Sequence, residues 1–164
     1  MRSVGDPALK PGQLREGRAA ALVVAHPGHE LLLHHWMERT RPIVFALTDG
    51  SGGSGVSRSA HSARVVTAAG GRVGPVFGAK TDREWYEAIL EGDRELFRDV
   101  AHRIGAACVE DGATYVVTDP VEYFNPMHDL CAALASFVAR SVASATGREV
   151  GLFDYPIERP NADS

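Results

Sequence analysis

The stretch AALVVAHPGHE, residues 20–30, decides the fold of this 164-residue chain. Its first six residues are small or branched and apolar, which is typical of a strand buried on both faces of a sheet. The run ends at His26, and Pro27 fits the first turn of a following helix. Turns normally use Gly, Pro, Asn or Asp for backbone reasons, and a pair of histidines, His26 and His29, serves no such purpose. These histidines are either incidental polar residues at a helix start or ligands.

Further along the chain, strand-like apolar runs alternate with helical patterns. Strands are predicted in PIVFALTDG (42–50), VGPVFG (73–78), TYVVTDP (114–120) and REVGLFDYPI (148–157). Helices are predicted over 29–40, about 60–69, 81–113 as one or two helices, and 127–147. Thr81 and Glu84 have the spacing of a capping box. The alternation predicts an α/β protein, a Rossmann-like three-layer sandwich with a mainly parallel sheet.

Length and composition narrow the class of protein. One domain is expected over residues 19–164, after a polar lead-in at residues 1–18. The net charge of -4 gives no electrostatic reason to expect nucleic acid, and no run is apolar enough to span a bilayer. The lead-in lacks the apolar segment of a secretory signal, so a cytoplasmic location is expected. The bias toward Ala, Arg, Gly and Val suggests a bacterial source.

Two further features concern the cysteines and the end of the chain. Cys108 and Cys131 both fall in apolar helical patterns, which favours buried thiols over a disulfide or a metal pair. The chain ends soon after its last predicted strand, which leaves open whether residues beyond Ser164 complete the domain.

Three predicted strands end in polar residues, in AHPGHE, TDGSGGSG and TDPVEYFNPMHD. Ligands of parallel sheets bind beyond the carboxyl ends of the strands, so these loops should open on one edge of the sheet. There His26, His29 and His128 would supply three imidazoles and leave an open position, which is the ligand set of a catalytic zinc, one per chain. The candidate hydrogen-bond acceptors that would fix the tautomers of the imidazoles are Asp49, Asp119 and Asp129.

The alternative is that the histidines are close only in sequence. The chain contains seven histidines, so two of them near one another can arise by chance. The other four, expected at the surface without function, are His34, His35, His61 and His102. The Gly-rich loop TDGSGGSGVSR lacks the Lys-Ser/Thr ending of a phosphate-binding loop, which favours a mobile substrate loop. An anion held by Arg58 remains the weaker alternative.

The combination of AHP-x-x-E after the first strand, TDG after the second and NP-x-HD before a later helix resembles the LmbE/PIG-L family of zinc-dependent N-deacetylases. The similarity covers the chain from about Ala20 to Tyr155. It implies removal of an acetyl group from an N-acetylglucosaminyl substrate or a related small amide. The implied zinc ligands are His26, His128 and, in place of the family's usual Asp, His29.

The sequence also departs from that family. Gly28 occupies the position of the family's general base, and Asn125 replaces the first His of its HPDH motif, with Met127 in place of an Asp. Neither glycine nor asparagine can exchange a proton at neutral pH. The remaining candidates for proton handling or substrate polarisation, taken as catalytic residues, are Glu30, Asp119, Asp129 and Asn125.

The resemblance also implies a substrate pocket around the metal. Asp82 lies in the region that holds sugar hydroxyls in the family. The predicted substrate-binding residues are Asp49, Arg58, Asp82 and Tyr123. Arg83, Trp85 and Tyr86 are further candidates, although a helix with an aromatic core face explains Trp85 and Tyr86 equally well. Tyr123 and Tyr155 are candidates for the rim of the pocket.

Three hypotheses follow. The first is a zinc-dependent hydrolase, an N-deacetylase of an N-acyl amino sugar or a related small amide. The second is a divergent member that has lost the usual base and binds a sugar-like ligand or performs a non-hydrolytic metal-assisted step. The third is a Rossmann-like binding module without metal, in which the histidines lie apart. The expected partner is a small molecule, with neither nucleic acid nor membrane, and a homo-oligomer is left open.

Overall fold

In the computed structural model, which describes residues 19–157, five parallel strands form one sheet. The strands are β1 (Ala20–Val24), β2 (Ile43–Ala46), β3 (Arg72–Val73), β4 (Tyr115–Thr118) and β5 (Gly151–Asp154). Their order across the sheet is β3-β2-β1-β4-β5, which confirms the predicted Rossmann-like α/β architecture. The lead-in predicted for residues 1–18 and the last residues, 158–164, lie outside the described part.

Between residues 19 and 157, five α-helices connect and cover the strands. They are α1 (His34–Thr40), α2 (Ser59–Ala68), α3 (Asp82–Glu91), α4 (Arg94–Glu110) and α5 (Pro126–Thr146). The capping box predicted at Thr81 is present, because its side chain accepts from the Glu84 N–H while the Glu84 carboxylate accepts from Thr81. The described helices include none that is long and apolar enough to cross a membrane.

The sheet is buried on both faces. Ala21 and Val23 of β1 pack in a cluster with α3, α4 and α5, while Leu22 and Val24 pack on the opposite face with Met37 of α1 and with α2. All five residues of β1 are buried, as the continuous apolar run predicted. Because α1 and α2 lie on one face and α3, α4 and α5 on the other, the chain changes face after β3, and β1 and β4 border the point where the strand order reverses.

Two elements differ from the sequence prediction. The third strand is Arg72–Val73 rather than residues 73–78, because Pro75 has no N–H to donate and Val76 adopts a positive φ of 66°. The helix predicted over 29–40 begins as a 3-10 helix at His29–Leu33 and becomes α-helical only at His34. Its first turn buries Glu30 and leaves Leu31 and Leu32 exposed to solvent.

Candidate metal centre

His26 follows β1, and its Nδ1 atom contacts residues from two other loops. This atom lies 2.8 Å from Asp82 Oδ1 and 3.0 Å from Thr48 Oγ1. Asp82 begins α3, and its Oδ2 accepts from the Gly52 N–H at 2.8 Å. Burial would raise the pKa of Asp82, but hydrogen bonds from Gly52, Thr48 and His26 outweigh burial and hold that pKa below its usual value.

The same surroundings keep His26 neutral. Burial lowers the pKa of His26, the Asp82 carboxylate opposes this effect, and repulsion from His29 and His128 adds to it, with a net lowering. A neutral imidazole is the form that binds a metal.

His29, in the first turn after the loop, is paired with Asp119 at the end of β4. Its Nδ1 lies 2.9 Å from Asp119 Oδ2, and that oxygen also accepts from the Ala25 N–H at 2.7 Å. Asp119 Oδ1 accepts from the Tyr155 hydroxyl at 2.5 Å. Asp119 is fully buried, yet these hydrogen bonds and the His29 ring lower its pKa against the effect of burial. The carboxylate therefore stays ionised.

His128 lies in the first turn of α5 and is paired with Glu122 from the preceding loop. The Nδ1 atom of His128 is 2.7 Å from Glu122 Oε2. The loop that carries Glu122 is fixed by Asp129, whose Oδ1 accepts from the backbone N–H groups of Glu122 and Tyr123. Asn125 caps α5 by accepting from the N–H groups of Met127 and His128. Asp129 and Asn125 thus shape the loop that presents His128.

The three histidine rings converge at the carboxyl edge of β1 and β4. Their centroids lie 5.4 Å (His26–His29), 5.3 Å (His26–His128) and 4.9 Å (His29–His128) apart, with the rings edge to face. Each Nδ1 faces a carboxylate oxygen, which favours the tautomer with its hydrogen on Nδ1 and leaves Nε2 as the atom that can bind a metal. Within residues 19–157, no hydrogen bond engages any of these Nε2 atoms. Three imidazole rings at this separation could share one cation.

One set of donor atoms is especially close. Ligand atoms of His29, Asp119 and His128 all lie within 4.8 Å of one another, so this group could hold a metal ion. His26 is outside this closest set, although its ring is about equally far from both of the other rings. The metal site predicted from the sequence is therefore supported at the level of a metal-binding cluster.

Other residues predicted at the site serve the loops around it. Glu30 is buried, with Oε2 accepting from the Gly28 N–H and Oε1 from the Ser62 hydroxyl. Asp49 Oδ1 accepts from the Ser51 N–H within its own loop. These contacts favour structural roles for Glu30 and Asp49 over the catalytic and substrate-binding roles expected from the sequence.

Arg58, in the segment after β2, lies next to Gly28, in the segment after β1. Arg58 Nε donates to the Gly50 carbonyl at 2.6 Å, and a Cβ built on Gly28 would lie 3.7 Å from Arg58 Nη1. Gly28 has φ 112°, in the region that favours glycine. Arg58 is exposed, so its guanidinium is accessible from solvent, and substrate binding by this residue stays a prediction, whereas Asp82 is committed to His26 and Gly52.

The aromatic candidates divide into core and surface. Trp85 is buried and donates from Nε1 to the Leu47 carbonyl, which assigns it to the core. Tyr155, expected at the rim, is buried beneath Asp119 instead. Tyr123 is 89% exposed with φ 65°, and Tyr86 donates to Asn125 Oδ1 at 3.4 Å. Arg83 is exposed and pairs with Glu87 along α3.

Sequence reasoning missed three residues of the centre. Glu122, Thr48 and Tyr155 all contact a histidine or its carboxylate partner. The position of Glu122, in the loop that leads from β4 to His128 at the start of α5, is the one indication that the sequence offers. The sequence predicts Thr48 only as part of the second strand, and Tyr155 only as a residue at the rim of the pocket.

The fold and the centre define a Rossmann-like α/β protein with a candidate metal site where the strand order reverses. Comparison with models of protein families, with curated proteins and with solved structures gives no match to this chain.

Proposed function

We propose that this chain is a zinc-dependent hydrolase that removes the acyl group from an N-acyl amino sugar or a related small amide. The observation that carries the proposal is the convergence of three imidazoles, each tied through Nδ1 to its own carboxylate. The resemblance of AHPGHE and NPMHD to LmbE/PIG-L motifs supplies the amide as substrate class.

The expected ligands are His26, His29 and His128, through their Nε2 atoms. Tetrahedral zinc–nitrogen bonds of about 2.0–2.1 Å place imidazole centroids about 5 Å apart, and the measured separations are 4.9–5.4 Å. Asp119 is the less suitable ligand, because its Oδ2 already accepts from Ala25 and His29. Imidazole also suits copper, iron and nickel, but three imidazoles with one open position are the ligand arrangement of a catalytic zinc.

The chain's own residues would prepare the site in several ways. When bound, zinc supplies Lewis-acid chemistry, because it polarises a carbonyl and lowers the pKa of water toward neutrality. Asp82, Asp119 and Glu122 fix the tautomers of the three imidazoles and raise their basicity. Arg58 offers an exposed guanidinium beside Gly28 for a polar group of the substrate.

A second candidate function is a divergent protein that binds a sugar-like ligand or performs a non-hydrolytic metal-assisted step. The lack of an evident general base among the described residues favours it. Gly28 has no side chain, and the carboxylates of Glu30, Asp119 and Asp129 already accept hydrogen bonds from their surroundings. General acid–base catalysis typically contributes about 10²–10⁴-fold, so hydrolysis without a replacement base would be slow.

Metal analysis of untagged protein tests both candidates. We expect one zinc per chain, lost in His29→Ala and kept in His35→Ala, whose side chain is 83% exposed. Absence of metal from protein supplied with zinc would contradict both functions.

Measurement of released acetate distinguishes the two candidate functions. Zinc-loaded protein should release acetate from a panel of N-acetyl amino sugars, and His29→Ala should not. A zinc-loaded protein that binds a sugar of the panel without releasing acetate would support the second candidate.

A further inference from the structure

The hydroxyl of Tyr155 makes a contact that core packing alone does not require. Tyr155 follows β5 directly, and β5 pairs with β4 up to Thr118↔Asp154, so Tyr155 lies beside Asp119 at the carboxyl edge of the sheet. Its side chain is buried, and its hydroxyl donates to Asp119 Oδ1 at 2.5 Å. This short bond joins the last strand to the candidate metal centre.

Asp119 is held from three directions. Ala25 N–H and His29 Nδ1–H both donate to Oδ2, and Tyr155 donates to Oδ1. Among the described residues, Tyr155 is the one hydrogen-bond donor to Oδ1. Without that hydroxyl, a buried carboxylate oxygen would lack a partner, and the carboxylate would be free to rotate away from His29.

We propose that Tyr155 is a positioning residue of the metal centre, which holds Asp119 as the partner of His29 and thereby fixes the orientation of that imidazole. The inference rests on the proposed tris-imidazole site.

Tyr155→Phe tests this role because it removes the hydroxyl and keeps the ring. We expect zinc, measured by competition with a chromophoric chelator, to bind about 10-fold more weakly, at the lower end of the loss typical for a residue that holds a metal ligand, because Tyr155 acts on His29 through Asp119. The matched control is Tyr115→Phe, a buried tyrosine of the same apolar cluster at the opposite end of the sheet, which should bind zinc like the wild type.

A double-mutant cycle distinguishes positioning from general stability. If Tyr155 acts through Asp119, Tyr155→Phe should have no further effect on zinc affinity in an Asp119→Asn background. Equal losses in both backgrounds, or unchanged affinity in Tyr155→Phe alone, would overturn the inference. A wild-type protein that binds no zinc would instead overturn the proposed function.

A spectroscopic measurement covers the case in which Tyr155→Phe does not fold. Protein labelled with 3-fluorotyrosine has four ¹⁹F resonances, one for each tyrosine. Phe variants of Tyr86, Tyr115 and Tyr123 assign the Tyr155 resonance by elimination. Zinc should shift the Tyr155 resonance in proportion to occupancy, and a resonance that does not respond would refute the inference.

Discussion

At the scale of single residues, Asp82 shows how a buried carboxylate organises the centre. Its two oxygens join His26 to Gly52, and it is 7% exposed. Replacing Asp82 with Ala should weaken zinc binding about 10–100-fold, because His26 loses the acceptor that fixes its tautomer and orientation. Isothermal titration with zinc measures the change. Asp99→Ala, at an exposed position of α4, is the control, and equal affinity in the two variants would contradict the prediction.

Gly50 and Gly52 give a second prediction at this scale, because both have positive φ but different surroundings. A Cβ at Gly50 (φ 68°) would lie 2.8 Å from Arg58 Nε and 3.0 Å from Pro27 Cδ, whereas one at Gly52 (φ 48°) meets no described atom within 4 Å. Both Ala variants should lose about 1 kcal/mol to backbone strain, and Gly50→Ala should lose about 1–3 kcal/mol more through overpacking. Urea denaturation measures both, and equal losses would show that Arg58 moves aside without cost.

The sequence indicated the three histidines but not all of their partners. His26, His29 and His128 follow strands whose carboxyl ends must meet in a parallel sheet, so topology alone brings them near one another. Which carboxylate pairs with which ring depends on loop conformation. Asp129 was the expected acceptor near His128, but it accepts from two backbone N–H groups and thereby turns Glu122 toward the ring. Which of two neighbouring acidic residues reaches the ring depends on a turn of a few residues. The spacing of apolar residues carries no information about such a turn.

At the scale of elements, helix α4 contains a glycine that is not required by its conformation. Gly105 is helical, and a Cβ there would meet no described atom within 4 Å outside its own helix. Gly105→Ala should therefore stabilise the protein by about 0.5–1 kcal/mol, since alanine lowers the entropy of the unfolded chain. Gly92→Ala is the matched variant, because its Cβ is equally unobstructed but its φ is 67°, at the end of α3. Thermal unfolding should move in opposite directions for the two, and a destabilised Gly105→Ala would contradict the prediction.

Elements with a strong periodicity were predictable from the sequence, and short elements were not. The buried run of β1 and the long pattern of α5 were located to within a few residues. The sequence predicts the third strand in VGPVFG, whereas in the described residues the strand register with β2 covers Arg72 and Val73, because Pro75 in the Gly-Pro sequence that follows has no N–H to continue the ladder. The 3-10 start at His29–Leu33 was missed because its apolar residues fit an α-helical pattern as well.

At the scale of the whole molecule, the two cysteines report on global unfolding. Cys108 and Cys131 are fully buried in the core on the α4–α5 face of the sheet, and both are free thiols, as predicted. Burial raises the pKa of Cys108 to about 12 and that of Cys131 well above its usual value. At pH 8 the thiolate fraction of Cys108 would be about one in ten thousand. Ellman's reagent should thus label neither thiol in the folded protein and both in urea, and rapid labelling of one thiol in the folded state would contradict the burial.

A metal at the centre should stabilise the whole molecule, because the proposed ligands belong to segments that follow β1 and β4, which are far apart in sequence and paired in the sheet. A ligand that binds only the folded state adds about 2.7 kcal/mol at 100 times its Kd, which is about 5–10 °C in Tm for a domain of this size. We expect that increase on adding zinc to the metal-free protein, reversed by a chelator.

His35→Ala should show the same increase and His29→Ala should show little. Histidines of the unfolded chain also bind zinc weakly, and the exposed His35 controls for this effect. An equal rise of Tm in His29→Ala would mean that zinc binds elsewhere, and the convergence of the three rings would then have no connection with a metal.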